Sequence, residues 1–189
     1  MPSDRPDDLQ LDRAKALVLV IDVQEKLARA MPAEAEARME KNAAILIKAA
    51  RRLGLPVVAS EQYVKGLGPT VSGLRDLLPS PPIEKMEFSC ANVSSLAGAI
   101  EGTGRRQVIA VGMESHVCVF QTVRDLLRKD FQVFVPRDAI VSRTEENRQV
   151  GLNLCEKAGA VVTSTETVLF DLLGTAGTPE FKELSPLIR

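Results

Sequence analysis

Three side chains in this sequence are of types and in places that together can do covalent chemistry. Asp22 follows the apolar run ALVLVI, and an ionised carboxylate at the carboxyl end of such a run is costly unless something pairs with it. Lys85, in the short run PIEKMEF, is a candidate partner if both strand ends reach the same edge of a sheet, where ligands bind in open α/β folds. Cys118 lies in GMESHVCVF, where a strand turns into a helix. A thiolate at a helix start beside a lysine is expected to form below the ordinary thiol range, and the N–H groups of the turn can hold the oxyanion made when it attacks a carbonyl. Each residue also has an ordinary role: an aspartate caps or turns the chain, a lysine faces water, and a free cysteine packs.

The elements that must position these groups alternate in type. ALVLVIDV (16–23) has no polar face and suits a strand buried on both sides. A helical period runs over 34–53 and stops at Gly54 and Pro56. PVVASEQ (56–62), PIEKMEF (82–88), RQVIAVGM (106–113), FQVFVPRDA (131–139) and AVVTS (160–164) read as further strands. Helices are expected over 96–100, from Val117 to Lys129, over 145–158 and over 166–173. Such alternation predicts a three-layer α/β/α sandwich with a mainly parallel central sheet. The chain reads as one domain, with an N-terminal extension over 1–15 and a tail over 174–189 that is expected to pack on a neighbouring subunit. Gly66–Pro69 and Pro79–Pro82 read as loops on the active rim.

Composition narrows the chemistry. The 189 residues carry 24 basic and 25 acidic side chains, a formal charge of -1, which argues against a nucleic-acid partner. One tyrosine and no tryptophan leave no aromatic platform for single strands. The single histidine, His116, excludes a metal site built on two imidazoles. Three cysteines without a C-x-x-C pair suggest reduced thiols in the cytoplasm, with Cys90 and Cys155 assigned to packing. No apolar run reaches the ~18 residues of a membrane span. Gln24, Gln62, Tyr63, Phe88 and His116 are candidates to line a substrate pocket, the two glutamines either binding substrate or bracing the backbone near the thiol. A core role competes for Phe88, and Thr122 is expected to bond its own helix.

Taken together, D-V-Q at 22–24, E-K-M-E-F at 84–88 and G-M-E-S-H-V-C-V-F-Q-T at 112–122 resemble the isochorismatase-like cysteine hydrolase family, over Ala16 to about Leu173. EQYVKGLGPTV is similar to the isochorismatase domain-containing branch. The resemblance implies that Asp22 takes the thiol proton, Lys85 stabilises the charged pair, and Cys118 attacks a carbonyl to form a thioester that water hydrolyses. It also implies a cis Met113–Glu114 peptide, with the N–H groups of Glu114 and Cys118 as oxyanion donors. The metal-binding branch uses two histidines where this chain has EQYVKGLG, so neither metal nor cofactor is expected. The reading is a hydrolase of an amide-type C–N bond in a small molecule, working as a homo-oligomer, dimer or tetramer. A non-catalytic binding module and a redox-sensing thiol protein are the alternatives on the same fold.

Overall fold

Runs apolar on both faces become strands, and the segments of helical period between them become crossovers. In the computed structural model, which describes residues 9–188, β1 (Ala16–Ile21) is followed by the single turn α1 (Glu25–Ala28) and the long α2 (Ala33–Leu53). Next come β2 (Val57–Gln62), the turns α3 (Val64–Leu67) and α4 (Ser72–Arg75), β3 (Ile83–Lys85), α5 (Ser94–Glu101) and β4 (Gln107–Met113). A π-helical turn, Ser115–Val119, leads into α6 (Phe120–Leu127). The order closes with β5 (Gln132–Pro136), β6 (Ile140–Val141), α7 (Glu145–Ala158), β7 (Val161–Thr163), α8 (Thr165–Leu173) and α9 (Pro179–Leu184). Residues 1–8 of the N-terminal extension, and residue 189, lie outside the described residues.

The strands form one sheet in the order β3-β2-β1-β4-β5-β7, every pair parallel, with β6 beside the far end of β4. Parallel strands deliver all their carboxyl ends to one edge. The chain leaves β1 in one direction for β2 and β3 and crosses to β4 on the other side, so the β1/β4 boundary is the switch point where such sheets bind ligands. Alternate residues of β1 feed two cores. Val18 and Val20 pack with Met39 and Leu46 of α2 and Leu169 of α8, while Leu17, Leu19 and Ile21 pack with Leu96 of α5, Val123 of α6 and Leu152 of α7. Each fully buried aliphatic side chain contributes roughly 1.5–3 kcal/mol to holding these layers.

The tail packs on its own chain, with Leu184 of α9 buried in the α2 layer and Arg52 of α2 bonding Glu180 at 3.0 Å and Glu183 at 2.6 Å; two expectations are corrected. Pro79–Pro82 precedes β3 and therefore lies at the amino edge of the sheet, not on the active rim. The strand expected over 131–139 stops at Pro136, where Ala139 N–H turns back to the Pro136 carbonyl at 2.9 Å and the chain steps over to β6. The extension also joins the fold before residue 16, since Leu11 is buried and its N–H donates to Asp171 Oδ2 at 2.6 Å.

Candidate active site

The site grows from the carboxyl ends of β1, β2 and β3. Asp22, immediately after β1, takes a left-handed backbone conformation, φ 52°, that turns its buried side chain along the sheet edge. Ser60, on neighbouring β2, donates from Oγ to Asp22 Oδ1 at 2.7 Å, and Lys85, one strand further on, donates from Nζ to Asp22 Oδ2 at 2.7 Å. Both side chains of this ion pair are wholly shut off from solvent. A buried charge pair survives only if its remaining valences are met. Lys85 Nζ meets them with Gln62 Oε1 at 2.6 Å and the carbonyls of Glu87 at 3.1 Å and Phe88 at 3.2 Å.

The two glutamines belong to this scaffold rather than to a substrate pocket. Gln24 donates to the carbonyls of Gln62 at 2.9 Å and Gly68 at 2.6 Å, and accepts from the N–H of Gln62 at 2.7 Å. Gln62 gives its amide N–H to the Met86 carbonyl at 2.8 Å and its amide oxygen to Lys85. Their polar atoms are thus spent on joining the β1, β2 and β3 ends, and neither bonds the cis peptide.

From the other side of the switch point comes Cys118. The Met113–Glu114 peptide at the end of β4 is cis, at the bond named by the resemblance. After it the Glu114 carbonyl accepts the N–H of Val117 at 3.1 Å and of Val119 at 3.2 Å, passing over that of Cys118, which an α-helical turn would take. Two glycines permit this path. A Cβ on Gly112, at φ 126°, would collide with the Ile21 carbonyl of β1, and one on Gly151 would run into the Ser115 backbone, so α7 can press against the π turn only at a glycine.

Cys118 is 6% exposed, and it is near enough to Asp22 for that carboxylate to act on its thiol. Burial pushes the thiol up from its ordinary range, the Asp22 charge and hydrogen bond push it the same way, and Lys85 pulls it down without prevailing. The direction is opposite to the one expected for a thiol beside a lysine, because desolvation and the Asp22 charge outweigh Lys85. Cys90, expected only to pack, is pushed up to about 11 by burial and Asp22, and it touches the site through Ser60 Oγ at 3.4 Å. Cys155, on the buried face of α7, is pushed up to about 12 by burial alone.

The other expected residues divide. Met113 is buried in the α2-side core. Glu114 is buried and held by Arg143, whose Nε approaches Oε1 at 3.1 Å and whose backbone N–H donates to Oε2 at 3.0 Å. His116 is half-buried and faces Ser142 Oγ from Nδ1 at 3.1 Å. Tyr63 and Phe88 are 45% and 52% exposed, so Phe88 stands on the rim and not in the core, beside Met86 at 63%. Thr122, expected to bond its own helix, accepts the Cys90 N–H at 3.0 Å. Ser60, Gly151 and the setting of Cys90 were missed; only the place of Ser60 near a strand end gave a signal. Among the described residues no group of three or more His, Cys, Asp or Glu side chains can hold a metal ion.

Comparison with known proteins follows this geometry. The isochorismatase domain model matches residues 16–167. Isochorismatase domain-containing protein 1 of Salmo salar is 38% identical over 149 residues, 76% of this chain and 51% of that protein, so the chain spans about half the length of that relative. A solved structure from Caenorhabditis elegans, titled MAR1 ribonuclease, superposes with a TM-score of 0.88 at 35% identity, covering 95% of this chain and 92% of that one. The Escherichia coli YcaC product, titled an octameric hydrolase of unknown specificity, superposes at 0.86 with 24% identity over 95% and 90% of the two chains and shares the fold. The chain belongs to the isochorismatase family.

Proposed function

We propose that this chain is a cofactor-independent cysteine hydrolase that cleaves an amide-type C–N bond of a small molecule through a Cys118 thioester. Membership of the isochorismatase family supports a hydrolase. The observation that carries the finer reading is one buried carboxylate, Asp22, bonded to the Lys85 ammonium and acting electrostatically on the Cys118 thiol. Because burial and the Asp22 charge favour the protonated thiol, attack and proton transfer are coupled. Sγ bonds the carbonyl carbon as its proton passes to Asp22, and the carbonyl π electrons move to oxygen. The N–H groups of Glu114 and Cys118 hold that oxyanion, a role supported by the π turn that passes over the Cys118 N–H. Collapse breaks the C–N bond, and Asp22 returns the proton to the departing amine. Asp22 then takes a proton from water as it attacks the thioester, and the released Sγ recovers that proton. Lys85 keeps Asp22 and the developing thiolate charge-balanced throughout.

The ribonuclease title of the nematode structure fits these residues less well. A polyanion calls for unpaired cations, whereas Lys85 is already matched by Asp22. A homo-oligomer is supported by the octameric title of the E. coli structure and is checked by light scattering.

The test is a screen of small primary amides and imides with intact-mass detection of an acyl adduct on Cys118. Cys118→Ala is expected to lower turnover by at least about 10³-fold, while the urea unfolding midpoint stays close to wild type. Turnover in Cys118→Ala equal to wild type would sink the mechanism.

A further inference from the structure

We infer that Ser60, oriented by Cys90, is a positioning residue that aims the Asp22 carboxylate at the Cys118 thiol. The inference rests on the proposed cysteine mechanism and deepens it. Ser60 clamps Asp22 twice: its carbonyl accepts the Asp22 N–H at 3.2 Å, and its Oγ donates to Asp22 Oδ1 at 2.7 Å. A serine hydroxyl normally rotates to suit its surroundings. Here its acceptor side is taken by Cys90, whose Sγ donates to Ser60 Oγ at 3.4 Å, so the hydroxyl proton is directed to Asp22. Cys90 is itself fixed, buried and tied through its N–H to Thr122 Oγ1 on α6 at 3.0 Å.

The result is a one-way chain of donors, Cys90 to Ser60 to Asp22, that starts on the helix layer and ends on the base. Lys85 takes the other carboxylate oxygen, Oδ2. With one oxygen anchored from β2 and the other from β3, the carboxylate plane is held fixed. Cys90 thereby acquires a task that does not use its nucleophilicity, and its protonated state is the one that task needs.

The test compares wild type, Ser60→Ala, Ser60→Thr and Cys90→Ala as full chains. Two quantities are read: the rate of iodoacetamide alkylation at Cys118 at neutral pH, by peptide mass spectrometry, and kcat and KM on an amide found in the screen. Ser60→Ala is expected to slow Cys118 alkylation and lower kcat by about tenfold with KM nearly unchanged, as loss of aim rather than of binding predicts. Ser60→Thr, which keeps the hydroxyl, is expected to restore most of both rates. Cys90→Ala frees the hydroxyl to rotate and gives a smaller loss at Cys118, a second reading should Ser60→Ala fold poorly. Alkylation in both Ser60→Ala and Cys90→Ala within about twofold of wild type overturns the inference. Wild-type Cys118 reacting no faster than Cys155 would instead overturn the cysteine mechanism itself, so the two failures are distinct.

Discussion

The two edges of the sheet solve the same closure problem with different materials. At the amino edge, Gln107 at the start of β4 accepts the Asp12 N–H at 2.7 Å and donates to the Gln10 carbonyl at 2.8 Å and to Gln132 Oε1 at 2.7 Å. Arg106 there lies over the Phe131 ring at 4.9 Å, and the Lys15–Asp12 ion pair at 3.2 Å is solvated. Neutral amides and wet charges suffice. At the carboxyl edge the same parallel backbone ends on a lysine and a carboxylate that are wholly buried and joined at 2.7 Å. Replacing such a pair by apolar groups is often neutral or stabilising, so sheet closure alone does not account for it.

That contrast is broken most directly at Lys85. Lys85→Met leaves Asp22 as an uncompensated buried charge and is expected to cost about 3–5 kcal/mol, read by urea unfolding. The double variant Asp22→Asn with Lys85→Met should recover much of the loss. A cost in the single variant below about 1 kcal/mol would make this edge as tolerant as the other.

Cys155 sharpens the comparison as a buried thiol away from the ion pair. Its folded-state value, about 12, lies above that of an unfolded thiol. Its contribution to stability is therefore complete below about pH 8.5 and is lost as pH rises toward the folded-state value. Cys155→Ala is expected to be less stable at neutral pH through lost packing. Between about pH 9 and 11 its stability should fall less steeply than that of wild type, by up to about 1.4 kcal/mol per pH unit. Urea unfolding across that range checks this, and parallel slopes would contradict it.

The smallest effect is expected at the amino edge. Gln107→Ala should cost about 1 kcal/mol for its lost hydrogen bonds and leave Cys118 alkylation unchanged. A changed alkylation rate would mean that the two edges communicate through β4.

How much was legible varies with the range of the interaction. The alternation of strands and helices was readable because a buried parallel strand must be apolar on both faces. Thus β1, β4 and α7 fall within a residue or two of their expected bounds. The two-residue β6 is too short to show a period. The π turn at Cys118 follows from Gly151, more than thirty residues later, which no local pattern announces.

The sequence by itself determined the class of fold and the three candidate residues of the site, because apolar runs and family motifs are written in neighbouring letters. Only the tertiary structure decided what those residues are in their resting state. Strand order put Ser60 and Gln62 between Asp22 and Lys85, turned two expected pocket glutamines into scaffold, and linked Cys90 to Asp22 through Ser60. Burial then reversed the direction expected for the Cys118 thiol. Desolvation and hydrogen-bond partnership are sums over neighbours from distant parts of the chain, and they acquire values only once the chain has folded.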